Sequence, residues 1–147
     1  MDHSAQPALD ANDLRSLERV IRRFSEEREW AAFHVPKNLA MALAVEAAEL
    51  MEPFQWLTPE EAGALKDDPE ALGRLGEEMA DVAIYLIRLA DVMGVDLGQA
   101  IAGKIRRNEE RFPVDRIRGR ARMPGATAGG EGASSPTPDM GGPEPVP

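Results

Sequence analysis

Pro36–Trp56 reads PKNLAMALAVEAAELMEPFQW. Proline is favoured in the first turn of a helix, and Pro53 cannot continue one, so the spacing predicts a helix from Pro36 to Glu52. Its apolar positions, Leu39, Met41, Leu43, Val45 and Leu50, wrap most of the cylinder instead of forming one stripe. A helix of that kind belongs at the centre of a bundle. Glu46, Glu49 and Glu52 interrupt it at intervals of three residues. At about 100° per residue, such neighbours lie on nearly one face. Carboxylates grouped among alanines repel each other and resist burial unless a cation or a proton compensates them.

The pattern recurs downstream. In EEMADVAIYL, Glu77, Glu78 and Asp81 again interrupt an apolar helical run. Asp68-Pro69 is a start signal for this helix and Gly94 a stop, predicting a span from about 69 to 93. Gly73 and Gly76 weaken its first turns, where a break is expected. Asp96 caps a last helix over 97–111, ended by Phe112-Pro113. Thr58-Pro59-Glu60-Glu61 is a capping box opening a short helix over 59–65. Upstream, Asn12 or Asp13 caps a first helix that runs to about Arg28, with Leu14, Leu17, Val20, Ile21 and Phe24 at helical spacing. The link REWAAFHVPKN breaks at Val35, because the residue before a proline is driven out of helical geometry. No stretch alternates as a strand does. The expected fold is all-α, four main helices plus a short one, in a helical bundle.

Residues 1–11 read as a flexible N-terminus, 12–119 as the helical domain and 120–147 as a disordered Pro/Gly-rich tail. The tail holds half of the twelve prolines and almost no apolar bulk. It cannot bury enough surface to offset its ordering entropy. About 110 residues in such helices make a thin core for a monomer, so a homo-oligomer that covers the spare apolar faces is expected.

A formal charge of −9 and the lack of a basic cluster argue against a partner that is a nucleic acid polymer. A nucleotide remains open as a substrate, since a metal ion can supply the positive charge. The absence of cysteine excludes disulfides, thiolate metal sites and thiol catalysis. No apolar run is long enough to span a bilayer, and the first residues lack the order of a signal peptide. The expected setting is the cytoplasm.

Four carboxylates, Glu46, Glu49, Glu78 and Asp81, would suit a hard cation such as Mg²⁺, with Mn²⁺ as a substitute. An ordinary solvated acidic face is the bland alternative, and the surrounding alanines speak against it. Zinc is disfavoured by the lack of cysteine and by only two histidines. A di-iron carboxylate bundle would need Glu-x-x-His pairs, which the chain lacks. Lys104, Asn108 and Arg111 share a face of the last helix. Cations near a helix C-terminus are common in their own right. Opposite a metal site, they would also serve a polyphosphate. Phe33 reads as core, whereas Trp30 and Trp56 lie in irregular links where a ring can stack on a nucleobase. His34 is a base contact or a satisfied surface histidine.

Three segments together, FSEEREWAAFHVPKNLAMALAVEAAELMEPFQW, LGEEMADVAIYLIRLADVMGVDL and KIRRNEERFP, make the chain resemble the MazG-like nucleotide pyrophosphohydrolases. It is most similar to their dCTP pyrophosphatase branch, from about Leu14 to Pro113. The resemblance implies a Mg²⁺-dependent enzyme that hydrolyses a dNTP, dCTP or a modified dCTP, to the monophosphate and pyrophosphate in nucleotide-pool cleansing. It places the metal ligands on Glu46, Glu49, Glu78 and Asp81. One of the glutamates would act as base, and Glu49 is preferred for its place mid-stripe. Phosphate contacts fall on Lys104, Asn108 and Arg111. The base pocket falls on Trp30, His34, Trp56 and Tyr85, bordered by Lys37 and Asn38. Ile21 stands where that branch tends to carry a polar, histidine-like residue, which puts strict cytosine selectivity in question. The family also implies a dimer, commonly paired into a tetramer. Other or broader dNTP specificity is the alternative within the enzyme class, and a non-catalytic helical interaction protein is the alternative outside it.

Overall fold

Asp13 begins the regular structure by turning its carboxylate onto the free backbone N–H groups of Arg15 and Ser16, as an N-cap does. The computed structural model describes residues 9–119. Helix α1 spans Leu14–Glu26, α2 Pro36–Met51, α3 Pro59–Ala64, α4 Pro69–Met93, α5 Leu97–Arg111 and α6 Val114–Ile117. Three short 3₁₀ turns, Trp30–Ala32, Glu52–Phe54 and Leu65–Asp67, join them. Among the described residues there is no strand, and the protein is all-α. The expected loose N-terminus falls largely outside the described residues, and the expected tail wholly so.

Several boundaries follow from local chemistry. Thr58 and Glu61 form the capping box at α3, each side chain bonding the other's backbone N–H. Asp68 caps α4 by accepting from Glu70 and Ala71, and Gly94 ends it in the left-handed region at φ 66°. Three details depart from expectation. α1 stops at Glu26, not Arg28. α4 is continuous through Gly73 and Gly76; two isolated glycines cost less than its capped start and packed length return. α6 adds a turn beyond Pro113.

The chain divides into two units, one ending at Gly103 and one beginning at Lys104. In the first, α2 packs mainly on α4, and α1 also packs on α4. Leu39 of α2 is 1% exposed and Ile87 and Ala90 of α4 are buried. Among the described residues no other apolar side chain is. Met41, Val45 and Met51 of α2, and Leu72, Met79, Ile84, Leu86 and Met93 of α4, remain exposed. The expected all-round apolar character of α2 is therefore only half used within one chain. Phe33, expected as core, is 67% exposed. It closes the Trp30–Ala32 turn, and a turn of three residues directs only one ring, that of Trp30, onto α1.

Candidate metal and nucleotide site

The α2–α4 pairing brings two acidic stripes face to face. Oxygens of Glu46, Glu49 and Glu78 all lie within 4.8 Å of one another. Glu46 and Glu49 stand one turn apart on α2, and Glu78 reaches them from α4. Asp81, one turn beyond Glu78, is outside that trio among the described residues, yet its charge is felt by two members of it. Partial burial first, then the repulsion of Glu49, Asp81 and Glu78, raises the Glu46 carboxyl above its ordinary range. Burial, then Glu49, Asp81, Glu77 and Glu52, does the same to Glu78. Like charges at this spacing call for a cation or a proton between them. All donors are carboxylate oxygens, the chemistry that Mg²⁺ or Mn²⁺ selects and that a soft metal does not. The residues fit such an ion.

A cleft of about 440 Å³ opens beside the trio, lined by Glu49, Glu52, Leu57, Leu65, Arg74 and Glu78. Arg74 is the feature here that sequence patterning passed over. Its guanidinium also pairs with Glu70 at 2.6 Å, the i,i+4 spacing that normally marks a solvated helix face.

The aromatic residues divide. Trp30 and His34 come together, with ring centres 5.6 Å apart, and Phe24 meets Trp30 edge-on at 5.8 Å. Arg28 lays its guanidinium 3.5 Å over Phe24. Glu29, at φ 55°, supplies the backward turn that lets the link double onto α1. Asn38 donates to the Phe33 carbonyl at 3.1 Å and so braces that link, while Lys37 is exposed. Trp56, after the Glu52–Phe54 turn, is 86% exposed. Tyr85 is half-buried on α4, one turn past Asp81. Among the described residues neither makes a ring contact with the Trp30 cluster.

His34 is more deeply tied than its sequence context suggests. Its Nδ1 lies 2.9 Å from Ser25 Oγ and 3.4 Å from Arg88 Nε. Burial, and secondarily the Arg88 charge, lowers its pKa from the ordinary 6.5. In the second unit, Lys104 and Arg111 are exposed and Asn108 is half-buried along α5. The Arg111 guanidinium lies 5.1 Å over Phe112.

The sequence profile of the MazG-like family matches residues 41–122. The chain is 42% identical over 118 residues to a dCTP pyrophosphatase 1 of Bos taurus, covering 80% of this chain and 67% of that protein. It is 40% identical over 119 residues to the Homo sapiens protein of the same name, covering 81% and 67%. The chain thus spans about two thirds of their length. A crystal structure of a pyrophosphatase from Archaeoglobus fulgidus superposes with a TM-score of 0.62 at 35% identity, covering 74% of this chain and 99% of that one.

Proposed function

The chain belongs to the MazG-like family and is a nucleotide pyrophosphohydrolase, and we propose that its preferred substrate is dCTP or a modified dCTP, hydrolysed with a divalent cation. The choice of a cation is carried by the convergence of Glu46, Glu49 and Glu78 within 4.8 Å across two packed helices, and the choice of dCTP by the similarity to the dCTP pyrophosphatases. With Asp81 they would hold Mg²⁺, or Mn²⁺ in its place. When bound, the ion supplies the positive charge that lets a polyphosphate approach an acidic face, and it acidifies water.

The protein's own groups account for the rest. A water held by Glu49 attacks the α-phosphorus. The new P–O bond forms as the α–β anhydride bond breaks, its electron pair leaving with the bridging oxygen on pyrophosphate, and the water's proton passes to the glutamate. Lys104, Asn108 and Arg111 are assigned to phosphate oxygens, because cationic and amide donors match their charge and geometry. Trp30, His34, Trp56 and Tyr85 are assigned to the base, with a ring as stacking platform. The exposed apolar faces of α2 and α4 support a homo-oligomer, a dimer or a dimer of dimers.

A panel of nucleoside triphosphates with Mg²⁺, with products resolved, tests the proposal. Monophosphate and pyrophosphate from dCTP ahead of the other bases is the expected result. A different best base would overturn the substrate assignment, and inert folded protein would overturn the activity.

A further inference from the structure

The polar network behind Trp30 has no part in holding a cation, and its members come from three separate segments. Ser25 on α1 is 1% exposed, and Arg88 on α4 is 8% exposed. Both point at one atom, Nδ1 of His34, in the link before α2. Arg88 is held in turn by Asp91, to which its Nη1 donates. Asp91 also accepts from Arg22 Nε of α1 at 3.0 Å, and Arg22 pairs with Glu18 at 2.6 Å. The groups facing the ring are thus Arg88, backed by Asp91, from α4, and Ser25 from α1, with the Arg28 guanidinium 6.0 Å from the Trp30 ring centre.

The chemistry of these donors fixes the histidine. Arginine has N–H donors and no acceptor. A proton on Nδ1 would meet the Arg88 Nε–H head-on, so Nδ1 must offer its lone pair. The neutral ring then carries its proton on Nε2, since the bond made by one nitrogen sets the state of the other. We propose that Arg88 and Ser25 are positioning residues that lock His34 as an Nε2–H donor, with which it meets the nucleobase stacked at Trp30. This rests on the reading of Trp30 and His34 as part of the base pocket. A donor there favours a base edge that presents an acceptor, as N3 of cytosine does, over one that presents the N3–H of uracil. The selectivity for which α1 offers only Ile21 is thereby assigned to His34 and to the pair of side chains behind it. A clasp that merely fastened the link would affect stability and leave base discrimination alone.

The test uses the full chain labelled with ¹⁵N-histidine. With only two histidines present, His34→Gln assigns the spectrum. The wild type is expected to show His34 protonated on Nε2, Arg88→Gln to let the proton distribute over both nitrogens, and Ser25→Ala, which leaves the Arg88 donor in place, to shift that balance less. In kinetics, Arg88→Gln is expected to raise KM for dCTP about tenfold, the loss of one well-placed hydrogen bond, with kcat within about twofold and with dCTP-over-dUTP preference reduced. Arg88→Lys, which keeps a cationic donor, is expected to recover part of that preference. Ser25→Ala guards against a folding failure of the Arg88 variants, since it removes one hydroxyl. Protonation on Nδ1 in the wild type overturns the proposal, as does a tautomer and a KM unchanged in both variants. The spectrum is read without nucleotide. An inactive wild type would therefore overturn the assigned activity, while the tautomer is judged separately.

Discussion

Glu49 stands mid-stripe on α2, belongs to the carboxylate trio and, like Glu78 of α4, lines the adjoining cleft; it is the proposed acceptor of the water's proton. Glu49→Gln keeps its volume and removes its basicity. At saturating Mg²⁺ it should lower kcat by about 10²-fold or more, the usual scale for a general base; near-wild-type turnover in steady-state assays would remove Glu49 from that role. His34 carries a second prediction. Its folded pKa lies below 6.5, so between those two values the unfolded chain binds more protons than the native one. Its contribution to stability is complete above pH 6.5 and is lost as pH falls toward the folded value. Thermal melts across that window should show Tm falling with pH, and His34→Gln should flatten the slope; an unchanged slope would show that His34 is not the group responsible. At this scale the carboxylates were legible because their spacing is local and their neighbours are alanines. Ser25 and Arg88 were not, because their common target lies 9 and 54 residues away, and Arg88 alone reads as one more helical arginine.

Capping made the elements legible. Thr58, Asp68 and Gly94 each supply a local bond or a backbone conformation that needs no tertiary partner, and the boundaries they mark agree with the sequence reading. The weak turns expected at Gly73 and Gly76 did not break α4, because capping and packing act over its whole length while propensity acts per residue. A Cβ added at Gly76 meets nothing within 4 Å. Gly76→Ala should therefore stabilise the protein by roughly 0.5–1 kcal/mol, to be read as a higher denaturation midpoint with unchanged m. A lower midpoint would mean that another surface needs the space. The aromatic link was readable only in part. Its proline and ring content marked an irregular segment, but the left-handed Glu29 that turns Trp30 onto Phe24 carries no glycine signal.

For the molecule as a whole, the proposed homo-oligomer and the proposed cation each give a prediction. Leu72, Met79, Leu86 and Met93 are all exposed and recur every seven residues along α4, the repeat of a helix seam seeking a partner. Met79→Lys places a charge mid-seam and should lower the mass measured by sedimentation at micromolar concentration; an unchanged assembly would locate the interface elsewhere. The gathered carboxylates are proposed to hold a divalent cation, so removal of divalent ions by chelation should abolish turnover and Mg²⁺ or Mn²⁺ should restore it. The all-α architecture and the family were legible because three quoted segments carry both the helix signals and the acidic pairs. The extent of apolar exposure was not, since periodicity shows which residues could be buried and only packing shows which are. The proposed attack of a carboxylate-held water on the α-phosphorus fixes where the water's oxygen ends up. Hydrolysis of dCTP in ¹⁸O-labelled water, followed by mass spectrometry of both products, tests it directly. The label is predicted in the dCMP, with the pyrophosphate unlabelled; label in the pyrophosphate would place the attack on the β-phosphorus and contradict the account.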